Sequence, residues 1–516
     1  MKPTFFLFSI FCFSLLFSQE APEIEWEKSY GGSDSDSCLS IVNTVDGGFL
    51  LIGQSLSSDG DVIDNNGDSD VWMVKINMMG VIEWQKVFGG SNYDIAFDLK
   101  ATLDGGYIFV GHTNSLDGDV SGWHEGYDTN NFPTLDFWIV KLDQFGNIQW
   151  QKCLGGTEND YGYSVELTSS GGYIISGHSY SFDGDISHNF GGSDYWIVKL
   201  DSNGNLLWEK SFGGTDSDKA NSILKFDDNK YMIIGGSSSN DGDVSVNHGS
   251  TDMWVICIDE NGQLIWERSY GGSGYDTGNK IQSTIDGGFV IAASSNSNNG
   301  DVTSNNGGVD YWIVKIDNIG NIEWQKSYGG SILDATEDIF ITTEKNYIVL
   351  GHSESNDGDV LENKGGFDFW ILKLDEFGEL IWQKSLGGNN YEFSSVILPT
   401  QDNGFITGGN TQSSNNGDVT NNHGGVDYWI VKLSPDQMST SEINPSQISI
   451  YPNPVKDVLN FSEKLENIEI HSVSGQKVWE VKEGMLLNVN YLMSGTYFLK
   501  AKTLKGERVN LKFIKK

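Results

Sequence analysis

Asp136-Phe-Trp-Ile-Val-Lys-Leu-Asp-Gln-Phe-Gly-Asn-Ile-Gln-Trp-Gln-Lys-Cys-Leu-Gly-Gly156 contains an Asp-x-Trp strand, a turn at Gly-Asn, and a Trp-Gln-Lys strand that stops at a Gly-Gly pair. The same order recurs along the chain. The second tryptophan is matched by Trp26, Trp84, Trp208, Trp266, Trp324 and Trp382, mostly 58 residues apart. The first is matched by Trp72, Trp196, Trp254, Trp312, Trp370 and Trp429. A fixed period of this length marks a repeat architecture. Such regularity describes a scaffold and leaves its chemistry open.

Within one unit, Val81 to Phe88 reads as a strand and Ile95 to Thr102 as a second. The second ends in Asp104-Gly105-Gly106, a hairpin signal because a tight turn needs residues tolerant of positive φ. Tyr107 to Thr113 is a third strand and Phe137 to Leu142 a fourth. Four short strands per unit without helical periodicity predict an all-β fold, a seven-bladed β-propeller of four-stranded blades. The array starts on a Trp-Glu-Lys strand, 24–30, and ends on an Asp-x-Trp strand, 427–433. This phase predicts that 24–30 completes the last blade and closes the ring, which leaves no open sheet edge. The segment 136–156, with Gly171-Gly-Tyr-Ile-Ile-Ser-Gly177, resembles the SBBP-type bacterial β-propeller repeat over about residues 23–433. That resemblance implies the fold and no shared activity.

The 516 residues carry a formal charge of −39, distributed unevenly: +4 from residue 448 onward and −43 before it. So acidic a surface repels phosphate backbones and excludes nucleic acid as a partner. Lys2, the apolar run Phe5 to Phe17 and Ser18 read as a signal peptide, residues 1–18. No later apolar stretch is long enough to span a bilayer. Cys38, Cys153 and Cys257 do not recur between units, so they read as buried strand positions and not as a disulfide framework.

Residues 434–447 form a polar linker between the propeller, 19–433, and a tail, 448–516, whose short alternating strands predict a small β-sandwich. The tail carries Tyr451-Pro452-Asn453-Pro454, Val473-Ser-Gly475, and Gly495-Thr-Tyr497, and it ends on basic residues. It resembles the C-terminal sorting domain of Bacteroidetes proteins exported by the type IX secretion system. The resemblance implies the secretion machinery as a partner, export across the outer membrane, and a mature protein on the cell surface or in the medium. Association with the outer-membrane surface would follow from that route, and a monomer is expected.

Two loop families share one face. The long loop runs Asp59-Gly-Asp61-Val, Asn65, Asp70 in the first unit and Asp241-Gly-Asp243-Val, Asn247, Asp252 in the fourth. Oxygen-rich, glycine-bent loops suit calcium. Asp and Asn that bond their own backbone in turns give the same pattern. Both readings stay open. The second unit's long loop is eight residues longer than the first unit's, and its segment Ser121 to Phe132 offers Trp123, His124, Tyr127 and Phe132 as candidates to hold a glycan or protein ligand. His112, His178 and His352 share one repeat position. No Ser/His/Asp or Cys/His nucleophile pattern stands out, and carboxylates are too many to single out a glycosidase pair. The reading is therefore an exported, non-catalytic binding module. A polysaccharide-active enzyme and a structural or adhesive surface protein are the alternatives.

Overall fold

The computed structural model describes residues 20–435, 450–472, 477–503 and 508–516. The signal-peptide reading, nearly all of the linker, and Gly475 fall outside them. The chain divides into two compact units, Met1–Gln437 and Met438–Lys516.

The first unit is all-β. Its described residues form four-stranded antiparallel sheets, one per repeat. In the first sheet an inner strand, Asp36–Asn43, pairs with Phe49–Ser55, then Asp70–Ile76, then an outer strand, Ile82–Phe88. The third strand is buried along its whole length, and the outer strand is mostly half-buried. Ile24–Tyr30 pairs with Asp427–Leu433 as the fourth strand of the last sheet. The inner strand of the first sheet touches those of the second and of the last.

Side-chain chemistry explains the repeated phrase. The third-strand tryptophans are fully buried. A buried indole N–H needs an acceptor, and the residue after each outer-strand tryptophan supplies it. Trp72 Nε1 donates to Gln85 at 2.7 Å, Trp254 to Glu267 at 2.9 Å, and Trp429 to Glu27 at 2.8 Å. The outer-strand Trp26, Trp150 and Trp208 reach the next sheet instead, donating from Nε1 to the carbonyls of Met78, Ser202 and Glu260 at 3.1–3.3 Å. Third-strand tyrosines make a further link: Tyr195 donates to the Trp254 carbonyl at 3.0 Å, Tyr311 to Trp370 at 2.9 Å, and Tyr428 to Trp72 at 2.9 Å. The last of these joins the final sheet to the first. Most third strands also bury a lysine whose ammonium reaches turn carboxylates, as Lys75 does with Asp46 at 3.0 Å and Glu83 at 2.7 Å. Cys38, Cys153 and Cys257 are buried and free.

The second unit corrects the sandwich expectation. Its five described strands form one connected sheet and not two packed sheets. Segments near Val458–Phe461 and Ile468–His471 read as separate strands, but they belong to one 15-residue strand, Val458–Ser472, with a register shift between Asn460 and Leu465. The sheet curls around its own apolar side chains, among them Leu459, Phe461, Ile470 and Phe513. The segment 450–455 seams its two edges. Ile450–Tyr451 pairs with Val458–Ser472, and Val455 bridges Lys515 on Arg508–Lys515. Asn453 donates to the Lys512 carbonyl at 3.1 Å and accepts from Ile514 N–H at 2.9 Å. Pro452 and Pro454 both follow cis peptide bonds. Gly495 begins the strand opposite Lys515, and Tyr497 stacks on Phe513 at 5.6 Å.

Candidate functional site

Every inner strand carries a bulge at the same place, between Cys38 and Ser40 in the first sheet and Glu337's neighbours Thr336 and Asp338 in the sixth. The same irregularity recurs in the other five. A bulge leaves one residue unpaired and re-aims its side chain. Here the seven extra residues line one cavity of about 310 Å³ enclosed by the seven inner strands. In chain order they form an apolar run, Leu39, Phe97 and Tyr163, and then a polar run, Asn221, Asn279, Glu337 and Ser395. All seven are half-buried. The frame around them is nearly constant from unit to unit, whereas this position is not.

The charges at the cavity are mostly paired. Asp98 accepts Val165 N–H at 3.0 Å and Ser164 Oγ–H at 3.2 Å. Lys100 lies beside Asp98 and meets Glu166 at 3.4 Å, and these carboxylates hold its ammonium charged. Burial raises the Asp338 carboxyl, an effect that Lys280 and then the Ile397 N–H oppose. Glu337 has no such cation. His352 Nδ1 lies 3.7 Å from Glu337 Oε1, and burial keeps that imidazole neutral, lowered to about 4. Glu337 opens to the cavity but is walled by protein beyond it. Burial, and then repulsion from Asp338, push its carboxyl up to about 8.

Phe97 and Tyr163 belong to a larger aromatic cluster. Their rings meet edge-on at 4.8 Å, and His112 lies 5.2 Å from Phe97 and 5.0 Å from Tyr161. His178 stacks on Tyr161 at 4.9 Å and on Tyr163 at 5.5 Å. Burial lowers both histidines to about 3. The three histidines are thus neutral ring surfaces: His112 and His178 share Tyr161 and Tyr163, and His352 lies against Phe367 and Phe393. Among the described residues no three His, Cys, Asp or Glu side chains form a group able to hold a metal.

The calcium candidates spread over separate turns. Asp59 Oδ1 accepts Ser33 N–H at 2.7 Å, and Asp61 Oδ2 accepts Gly31 N–H at 3.4 Å. Asn65 donates to the carbonyls of Ser55 and Ser57, and Asp70 accepts Asn66 N–H. In the fourth unit Asp241 binds Thr215, Asp243 binds Gly213, Asn247 binds Ser237 and Gly249, and Asp252 binds His248. Asp59, Asp61, Asp241 and Asp243 tie the long loop to the Gly-Gly loop, whereas Asp70 and Asp252 bond within the long loop.

The Gly-Gly pairs have a cause that the repeat alone does not reveal. A Cβ on Gly31 would sit 2.5 Å from both Asp36 Oδ2 and Asp427 Oδ1. The equivalent glycine of every unit separates a buried inner-strand carboxylate from the buried aspartate of the preceding Asp-x-Trp. In the pair Asp70 and Asp94, Asp70 Oδ1 has no hydrogen-bond partner among the described residues. Burial is the main cause that raises the carboxyls of Asp70, Asp160, Asp194 and Asp368, to about 7.

The second-unit loop divides in two. Trp123 is half-buried and donates from Nε1 to the Thr134 carbonyl at 2.8 Å. His124 gives both its N–H, at 2.8 Å, and Nδ1, at 2.9 Å, to Asp136. His248 and His423 make the same contacts to Asp252 and Asp427. Trp123 and His124 therefore belong to the frame. The added residues form a small hairpin in which Tyr127 bridges Pro133 and Asp128 N–H bonds the Phe132 carbonyl. Tyr127 and Phe132 are exposed at its tip, 48% and 66%. Sequence reasoning named none of the residues that line the cavity, although one signal existed: the first inner strand holds one residue more than its seven-residue partner.

Residues 449–516 match the family of secretion system C-terminal sorting domains. The chain is therefore an exported protein, delivered to the cell surface or secreted by the type IX system. Over 173 residues, 31% of this chain, it is 25% identical to the Regulatory protein FlaEY of Caulobacter vibrioides, and the match spans 18% of that protein. Among solved structures it is similar to the Pan2 WD40 domain of Neurospora crassa, with 10% identity and a TM-score of 0.43 over 78% of this chain and 90% of that one. It is also similar to Sqt1 from Chaetomium thermophilum, with 10% identity and a TM-score of 0.41 over 80% and 100% of the two chains. The repeated four-stranded sheets are propeller-like, and the tail is a sorting domain.

Proposed function

We propose that this chain is a non-catalytic binding module that a bacterium of the Bacteroidetes displays or releases, and that it takes a glycan or protein ligand at the central cavity. In this reading residues 19–433, of SBBP type, form a closed seven-bladed propeller, after a signal peptide at 1–18. The pairing of Ile24–Tyr30 with Asp427–Leu433 and the bond from Tyr428 to Trp72 support closure. The linker 434–447 and the sorting domain 448–516 serve export.

The observation that carries the binding role is the set of seven bulges. A bulge also twists its strand, but the residue it displaces differs from unit to unit, so the frame does not dictate these side chains. The bulges gather an aromatic patch beside amide and carboxylate groups in a concave site, the composition expected of a ligand pocket. The test is binding of the mature protein to glycan and extracellular-protein arrays, alongside Leu39→Trp, which fills the cavity. Retained ligands should weaken about tenfold or more in the variant, with its melting temperature kept. Unchanged binding to the filled cavity would overturn the reading.

A further inference from the structure

The donors and acceptors around the cavity are not balanced. Asn221 Nδ2 donates to the Gly278 carbonyl at 3.0 Å, and Asn279 Nδ2 donates to the Thr336 carbonyl at 2.6 Å. Both amides are thus held by the next sheet through their nitrogens, which leaves their carbonyl oxygens as the groups available to the cavity. Glu337 follows in the polar run and adds a carboxyl group, protonated in the empty cavity near neutral pH and drawn into its ionised form by an ammonium beside it. Lys280 lines the cavity and Lys100 lies beside it, and the two cations are answered by Asp338, Asp98 and Glu166. Phe97 and Tyr163 stand in the apolar run, and an aromatic face attracts a cation.

We infer that the cavity selects a ligand carrying a protonated primary amine, which places its ammonium among Glu337 and the two asparagine carbonyls with its carbon skeleton against Phe97 and Tyr163. An ammonium has three donors and no acceptor, which suits a rim of acceptors. The −43 charge of the chain before residue 448 draws cations toward it. The inference rests on the cavity being the binding site. The amine could belong to an amino sugar or to an aliphatic amine, and both present the same group.

Calorimetric titration of the mature protein with glucosamine, cadaverine and glucose separates these cases. At least one amine should bind saturably at millimolar concentration, with glucose weaker by about tenfold or more. Preference for glucosamine identifies an amino sugar, and preference for cadaverine an aliphatic amine. Glu337→Gln, which keeps shape and cannot ionise to pair with the ammonium, should weaken the amine by about tenfold or more. Phe97→Leu should weaken it too, and this second variant guards against a folding defect in the first. Equal binding of glucose, amine binding unchanged by Glu337→Gln, or no amine binding would each overturn the inference. If an array ligand without an amine binds and is lost in Leu39→Trp, the cavity reading stands and the ammonium inference falls.

Discussion

Removing residues 24–30 should destabilise the first unit by on the order of 5 kcal/mol or more and leave much of it insoluble. The segment supplies the fourth strand of the last sheet, and without it Asp427–Leu433, buried along its length, becomes an edge. An open apolar edge invites pairing with other chains. The point variant Glu27→Ala isolates one part of the effect. It strips the Trp429 indole of its acceptor across 402 positions of sequence. A buried donor left unsatisfied costs about 1–3 kcal/mol. Thermal and denaturant unfolding of both variants would measure this. A melting temperature unchanged by the deletion would mean that the strand adds nothing to the ring.

Stability should fall as pH rises from about 4 to about 7. The buried carboxyls at Asp70, Asp160, Asp194 and Asp368 are raised to about 7 in the folded protein and lie near 4 when unfolded. The folded state therefore holds more protons across that window, and its stability is greatest below the unfolded value. It is lost as pH rises through the folded value. Each raised carboxyl faces a second carboxylate across a glycine, so repulsion grows as both ionise. The total should be on the order of several kcal/mol between pH 4 and 8. On the acid side Asp46, Asp104, Asp286 and Asp402, all lowered to about 2, act in the opposite sense below pH 4. The optimum should thus be mildly acidic. Asp70→Asn offers a sharper test. Its carbonyl can keep the bond from Asn66, and its amide can replace the unpartnered oxygen and donate toward Asp94. It should gain about 1–3 kcal/mol at pH 8 and nothing near pH 4. Loss of stability at pH 8 would contradict the account of the pair.

Much of the frame was legible in the sequence. The spacing of two tryptophan series set the repeat, and the Asp-Gly and Gly-Asn pairs set the turns. Why the glutamine or glutamate follows each outer tryptophan was not legible, because its partner is an indole on a neighbouring strand. The bulges were hidden for a related reason. A bulge is a mismatch in length between two strands, and the residue it displaces has a different side chain in every unit. In the second-unit loop the sequence grouped four aromatic candidates, of which Tyr127 and Phe132 are exposed and Trp123 and His124 are half-buried. Trp123 and His124 carry frame contacts, and the repeat position shared by His124, His248 and His423 could have revealed it. In the tail, a register shift within one long strand looked like a gap between two, and so one curled sheet looked like a sandwich.

The central claim is that ligand enters the cavity built by the seven bulges. A crystal structure of the mature protein with a ligand retained on the array tests it most directly. The account predicts ligand density in contact with Phe97, Tyr163 and Glu337. Density at the hairpin tip beside Tyr127 and Phe132, with the cavity empty of ligand, would contradict it.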